Sequence, residues 1–262
     1  MTWSRPDDSP ATAKRLARAS PARPAAAERA YGQTNPPATG PSRYASSMSE
    51  TEDATRELLV ELLRVFYTKG WVSGTGGGIC GPADGGGLLL APTGVHKERV
   101  RTDEFFTVDP ADGRILLRPA NPGLRPSECN AIFSLTARER GARSVVHSHA
   151  LSAVLLGDLA TDSDHVAISD LEMLKGIRGV GNRDVHLLPV IRNTPREAEL
   201  TEQLASVLGD PRFKDAFGVV VADHGAYIWG DDVWEAKRHT EVYHFLFEAV
   251  VARRDRQKER TR

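Results

Sequence analysis

Ser144-Val145-Val146-His147-Ser148-His149-Ala150 is the stretch on which the reading of this chain turns. Its apolar start has the character of a core strand, and successive side chains on a strand point to opposite faces. His147 and His149 therefore project to one side while Val146 and Ser148 face the other. Two imidazoles set side by side are half of a catalytic zinc site, which typically takes three protein ligands and leaves one position for water or substrate. A third ligand, an anion pocket and a base have to come from elsewhere in the chain.

Just upstream, Pro126-Ser127-Glu128-Cys129 opens a helix with Ser127 as N-cap, Ile132, Phe133 and Leu135 as the apolar face, and a stop near Gly141. Helix, short turn and buried strand place the two histidines at the far end of a core strand. Downstream, Glu172 lies among apolar neighbours in Asp170-Leu171-Glu172-Met173-Leu174, where desolvation would raise its carboxyl toward the range of a general base, although an exposed carboxylate on one turn of helix fits the same residues equally. Val185 to Ile191 reads as a strand, and Thr194-Pro195-Arg196-Glu197 reads as an N-cap, a first-turn proline and an early acid starting a helix to about Leu208. Phe217 to Ala222 is a second apolar strand, which delivers His224 at a turn made close by Gly225. A returning strand, Ala226 to Gly230, leads into a long helix from Asp231 to about Arg254. His239 and His244 on that helix are not at ligand spacing and are read as surface or packing residues.

Toward the N-terminus, leucines at helical spacing from Thr51 to Gly70 predict an amphipathic first helix. Gly74-Thr75-Gly76-Gly77-Gly78 follows, with glycines that let backbone N–H groups converge on an anion, although such a run serves equally as a plain turn. After the apolar run Leu88-Leu89-Leu90, Thr93 and Gly94 offer a hydroxyl beside a glycine, and Lys97 offers a point charge, a set suited to a phosphate, although a turn with a solvated lysine reads the same way. Phe105 to Val108 and Arg114 to Leu117 flank Asp109-Pro110-Ala111-Asp112-Gly113, a hairpin turn.

The chain has 262 residues, 40% of them hydrophobic, enough for one large core. Its formal net charge of -1 argues against general nucleic-acid binding, and the basic run Arg253 to Arg262 reads as a solvated helix end or tail. No apolar run approaches a membrane span. Cys80 and Cys129 are too few for a disulfide scaffold and suit a reducing, cytoplasmic setting. Residues 1–50, rich in Ala, Pro, Ser and Arg, are expected to form a disordered extension, with Met48 as an alternative start. The expected domains are thus that extension, a catalytic domain over 51–254, and a basic tail over 255–262.

Gly70 to Ile79, Ala91 to Arg99, His147-Ser148-His149, Glu172 to Ile177, Asn193-Thr194-Pro195 and His224 to Gly230 together resemble the class II (zinc-dependent) aldolase superfamily over about residues 53–252. The glycine run, the segment around Lys97 and the Glu172 segment are similar to its dehydratase branch, which acts in methionine salvage. The resemblance implies a three-layer α/β/α sandwich with a central mixed, largely antiparallel sheet. It implies one Zn2+ per subunit on His147, His149 and His224, with Glu172 as the acid/base. It also implies a sugar-phosphate substrate held by Gly76, Gly77, Thr93, Gly94 and Lys97, with Cys129 near the substrate. A homotetramer is implied too. Glu128 matches the acid that stands beside zinc in the aldolases and epimerases, so an aldolase or epimerase with Glu128 in the acid/base role is the alternative.

Overall fold

The computed structural model describes residues 52–160 and 162–261. The expectations for the extension and for Met48 lie outside the described residues. Nine strands form one sheet in the order β4-β3-β2-β1-β5-β9-β8-β7-β6: β1 is Gly78–Pro82, β2 Leu88–Leu90, β3 Phe106–Val108, β4 Ile115–Leu117, β5 Ser144–Ser148, β6 His165–Ile168, β7 His186–Ile191, β8 Gly218–Val221 and β9 Gly225–Gly230. Only β7 and β8 run parallel. The sheet is mixed and largely antiparallel, as expected.

Alternation along the strands sorts the core into two faces. Val145, Tyr227, Trp229, Val219 and Val221 pack on one side with α2 (Asn130–Arg140) and α4 (Thr201–Gly209). Val146 packs on the other side with α1 (Glu52–Thr68). Val220, Ala226 and Ile228 pack on that second side with α3 (Leu151–Gly157) and α5 (Val233–Arg260). This is the α/β/α sandwich. The helix α5 continues through Arg260, so most of the expected basic tail is its solvated last turns.

Three local features aim the strands. The first helix ends with Gly70 at φ +74° and the Trp71 N–H bonded to Phe66 O, a Schellman-type close in which Trp71 also packs on Phe66. Trp71 then accepts the His149 N–H at its carbonyl (2.8 Å) and stacks its ring on His244 at 4.0 Å. A Cβ on Gly225 would lie 1.9 Å from Ser148 O, so only glycine lets β9 approach β5 this closely. The expected helix from Thr194 is instead a 3-10 turn at Glu197–Leu200 that leads into α4. There the Thr194 hydroxyl donates to Arg196 O rather than capping a helix.

Candidate active site

The register places one set of loops at a single end of the sheet. Gly78 pairs with His147, so the glycine run just before β1 meets the end of β5. Leu90 pairs with Cys80, so the chain leaving β2 for Thr93 emerges at the same end. The parallel pair β7 and β8 delivers Asn193, Glu197 and His224 there as well.

His149 Nε2 lies 2.8 Å from His147 Nε2 and 3.1 Å from His224 Nε2. With Nδ1 of His147 donating to Ala226 O (3.2 Å) and Nδ1 of His224 donating to Asn193 Oδ1 (3.0 Å), both rings present Nε2 lone pairs inward. Converging lone pairs repel unless a cation lies between them. Glu197 Oε1 completes the group at 3.5 Å from His147 Nε2 and 3.9 Å from His224 Nε2. All four donor atoms fall within 4.8 Å of one another. A tetrahedral ion with bonds of about 2.0–2.1 Å sets its ligands roughly 3.3 Å apart, so the spacing suits a divalent metal.

The surroundings hold this set in place. His147 is fully buried and stacks on Tyr227 at 4.0 Å, while the Tyr227 hydroxyl donates to Glu197 Oε2 at 2.9 Å. Burial pushes the His149 imidazole down to about 3, helped by the neighbouring His147 and His224. Burial also lowers His224, again with His147 contributing. Burial alone would raise the Glu197 carboxyl; where His147 carries a proton on Nε2 its hydrogen bond and charge outweigh that, with Cys129 and Tyr227 assisting, and lower the group. The Cys129 thiol, beside Glu197, is pushed well up by burial and by that carboxylate, so it stays protonated. Neutral imidazoles and an ionised carboxylate are the states in which these side chains bind metal.

A model of the Class II Aldolase and Adducin N-terminal domain matches residues 57–251. The chain belongs to this family. The class II aldolase relatives include a "Probable bifunctional methylthioribulose-1-phosphate dehydratase/enolase-phosphatase E1" of Oryza sativa subsp. indica, 38% identical over 208 residues and 75% of this chain. This chain spans about 40% of that relative's length. A methylthioribulose-1-phosphate dehydratase of Osmerus mordax is 37% identical over 77% of this chain and 85% of its own. Among class II aldolase-like structures, YgbL from Escherichia coli superposes with a TM-score of 0.64 at 20% identity, covering 76% of this chain and 89% of that one. That likeness supports the fold alone.

Against the class II aldolase pattern, the structure brings together His147, His149 and His224, with Cys129 beside Glu197 and Tyr227. Gly76 lies against the His149 ring, where a Cβ would come within 2.4 Å of Nδ1, so that glycine gives the imidazole clearance. Gly77 lies over the His147 carbonyl. Three expectations need correction. Lys97 does not reach outward to an anion. It is 2% exposed, and its Nζ donates to Thr75 O (3.0 Å), Pro92 O (3.1 Å) and Val95 O (3.3 Å), which uses all three of its protons. Glu128 is exposed and stands outside the four-donor group; Cys129, the next residue, is the one that turns inward.

Glu172 is not desolvated: its side chain is 71% exposed, it pairs with Lys175 at 2.6 Å, and it accepts from Asn182 at 2.8 Å. The hydrogen bond from Lys175 lowers its carboxyl rather than raising it. The register explains why. Strand β6 leads to Glu172, and Ile168 at its end pairs with His186 at the start of β7, whereas the histidine group lies past the end of β7. Within one subunit Glu172 is therefore at the opposite end of the sheet from the three histidines. The residue that sequence reasoning passed over is Glu197, taken for a first-turn helix acid. Its signal was a carboxylate just after a strand that neighbours the His224 strand, legible only once that pairing is known.

Proposed function

We propose that the chain is a zinc-dependent dehydratase that converts 5-methylthioribulose 1-phosphate to 2,3-diketo-5-methylthiopentyl 1-phosphate and water, in methionine salvage. The convergence of three imidazole nitrogens beside Glu197 carries the reading, in a chain that aligns over 85% of a relative named for this reaction. His147, His149 and His224 are the proposed zinc ligands, and an ion held there supplies Lewis-acid polarisation of the substrate's C2 carbonyl oxygen. Asn193 orients His224 by accepting from its Nδ1, and Tyr227 orients Glu197 by donating to its Oε2, as hydrogen-bond partners behind metal ligands do. The turns at Gly76, Gly77, Thr93 and Gly94 bind the phosphate remotely, fixing geometry without touching the reacting carbons.

Glu172 remains the proposed acid/base, by resemblance to the dehydratase branch. It takes the C3 proton and, as an acid, delivers it to the C4 hydroxyl, which leaves as water; the C3 enol then becomes a ketone. Its place at the far end of the sheet makes this a role in trans. In the proposed homotetramer, one copy presents Glu172 to the histidine group of another. Two buried free thiols, Cys80 and Cys129, fit a reducing cytoplasmic compartment. The aldolase alternative needs an acid beside the metal at position 128; against it stands Glu197, the carboxylate grouped with the three histidines.

Zinc-loaded protein given 5-methylthioribulose 1-phosphate should yield the diketone and no aldol cleavage product. Release of dihydroxyacetone phosphate from fuculose 1-phosphate or rhamnulose 1-phosphate, with no diketone formed, would falsify the assignment.

A further inference from the structure

A phosphate cradle at the turns of Gly76 and Thr93 lacks its expected cation, because Lys97 is committed elsewhere. Its ammonium lies beneath both turns with each proton on a backbone carbonyl, two from the 92–95 turn and one from Thr75 in the glycine run. Burial lowers its pKa, with Glu197 pulling the other way. A lysine so placed joins the two turns and cannot swing out without stranding three carbonyls. The isolated bridge between Thr93 and Arg125, with Thr93 N–H bonded to Arg125 O at 3.1 Å, brings a second cation to the same turn.

The Arg125 guanidinium makes no hydrogen bond or ion pair among the described residues and is solvent-exposed. One of its nitrogens, Nη2, lies 3.0 Å from where a Cβ on Gly94 would stand. Gly94 is at φ +68°, a conformation that favours glycine, and its missing side chain leaves the guanidinium in contact with the turn. The Thr93 hydroxyl beside it also has no hydrogen-bond partner among the described residues. A free fork of N–H donors, an unpaired hydroxyl and a glycine that clears the approach are the parts of an oxyanion site. Arginine is the residue whose planar fork matches a phosphate bidentately.

We propose that Arg125 is the residue that binds the substrate's phosphate, with the Thr93 hydroxyl, and that Lys97 is the positioning residue that staples the two turns into a cradle. This rests on the sugar-phosphate reading of the site but not on which carbon–oxygen bond is broken. The sequence gives Arg125 no motif of its own, since it sits just before the Pro126-Ser127 helix start. Only the bridge to Thr93 shows which turn it serves.

The test is calorimetric titration of inorganic phosphate into the zinc-loaded full chain, which needs no turnover and so can succeed even where the dehydratase assay fails. Arg125→Ala should weaken phosphate binding by about tenfold or more, the scale of a lost charge-assisted contact, with zinc content unchanged. Arg125→Lys should recover part of that loss, because a point charge returns without the fork. Phosphate binding equally tight in Arg125→Ala overturns the proposal, as does its absence from the unaltered protein. Phosphate held by the metal alone would be indifferent to the substitution and counts against the proposal in the same way.

Discussion

His147, His149 and His224, the proposed metal ligands, are each fixed by a contact within the protein. His147 is stacked on Tyr227, the His149 backbone N–H is tied to Trp71 O, and His224 is tied to Asn193. Tyr227 does double duty, since its hydroxyl also holds Glu197 Oε2. Tyr227→Phe keeps the ring against His147 and removes only that bond. It should weaken divalent-metal binding about tenfold to a hundredfold, the usual cost of losing a hydrogen-bond partner behind a metal site, as read by competition with a chelator. Unchanged affinity would mean that Glu197 takes no part in holding the ion.

At this scale the three histidines are legible in sequence, because a period of two and a following glycine are local patterns. Glu197 and Lys97 are not. Whether a carboxylate after a strand joins the three imidazoles depends on a segment 50 residues away, and the Lys97 ammonium is turned inward by a local turn together with Thr75 O, 22 residues upstream.

Element packing links the metal strand to α5. Ser148, between the two histidines of β5, points to the opposite face and bonds His244 Nε2 at 2.7 Å, while His244 Nδ1 donates to Thr240 O at 2.7 Å. His186 on β7 is likewise buried, against the Tyr243 hydroxyl. Burial pushes both imidazoles down to about 4 from an ordinary 6.5. The sign follows directly: below pH 6.5 the unfolded chain takes up protons that the folded one refuses, so stability falls with pH until both states are protonated near pH 4. Each histidine should cost up to about 3 kcal/mol across that window. Denaturant midpoints at pH 7 and pH 4.5 measure it, and His244→Gln should flatten part of the slope; a slope unaltered by that change would contradict this role for His244. The sequence reading leaves His244 as a surface or packing residue on a helix, and the structure makes it a packing residue, with the ring stacked on Trp71. What periodicity could not show is that the same ring abuts the back of the metal strand.

At the scale of the whole molecule, the order and directions of the strands divide the chemistry. The predicted strands, the hairpin and the long last helix are found where local pattern places them, and the α/β/α layering follows from alternation. Which end of the sheet each loop occupies is a property of pairing, and there the sequence is silent. The family resemblance pairs Glu172 with the histidines, but nothing local tells that Ile168 pairs with His186 and so sends Glu172 to the far end. Exposed Leu151, Leu155, Met173 and Phe245 are apolar surface that a second copy would cover in the proposed tetramer.

Subunit complementation tests this arrangement most directly. Glu172→Gln and His224→Ala, each purified alone, should be inactive on 5-methylthioribulose 1-phosphate, the first with full zinc content and the second depleted. Unfolded and refolded together, they should regain diketone formation, because mixed assemblies contain an intact histidine group facing an intact Glu172 from another copy. Mixed assemblies verified by mass that remain inactive would contradict the account, as would Glu172→Gln that is fully active by itself.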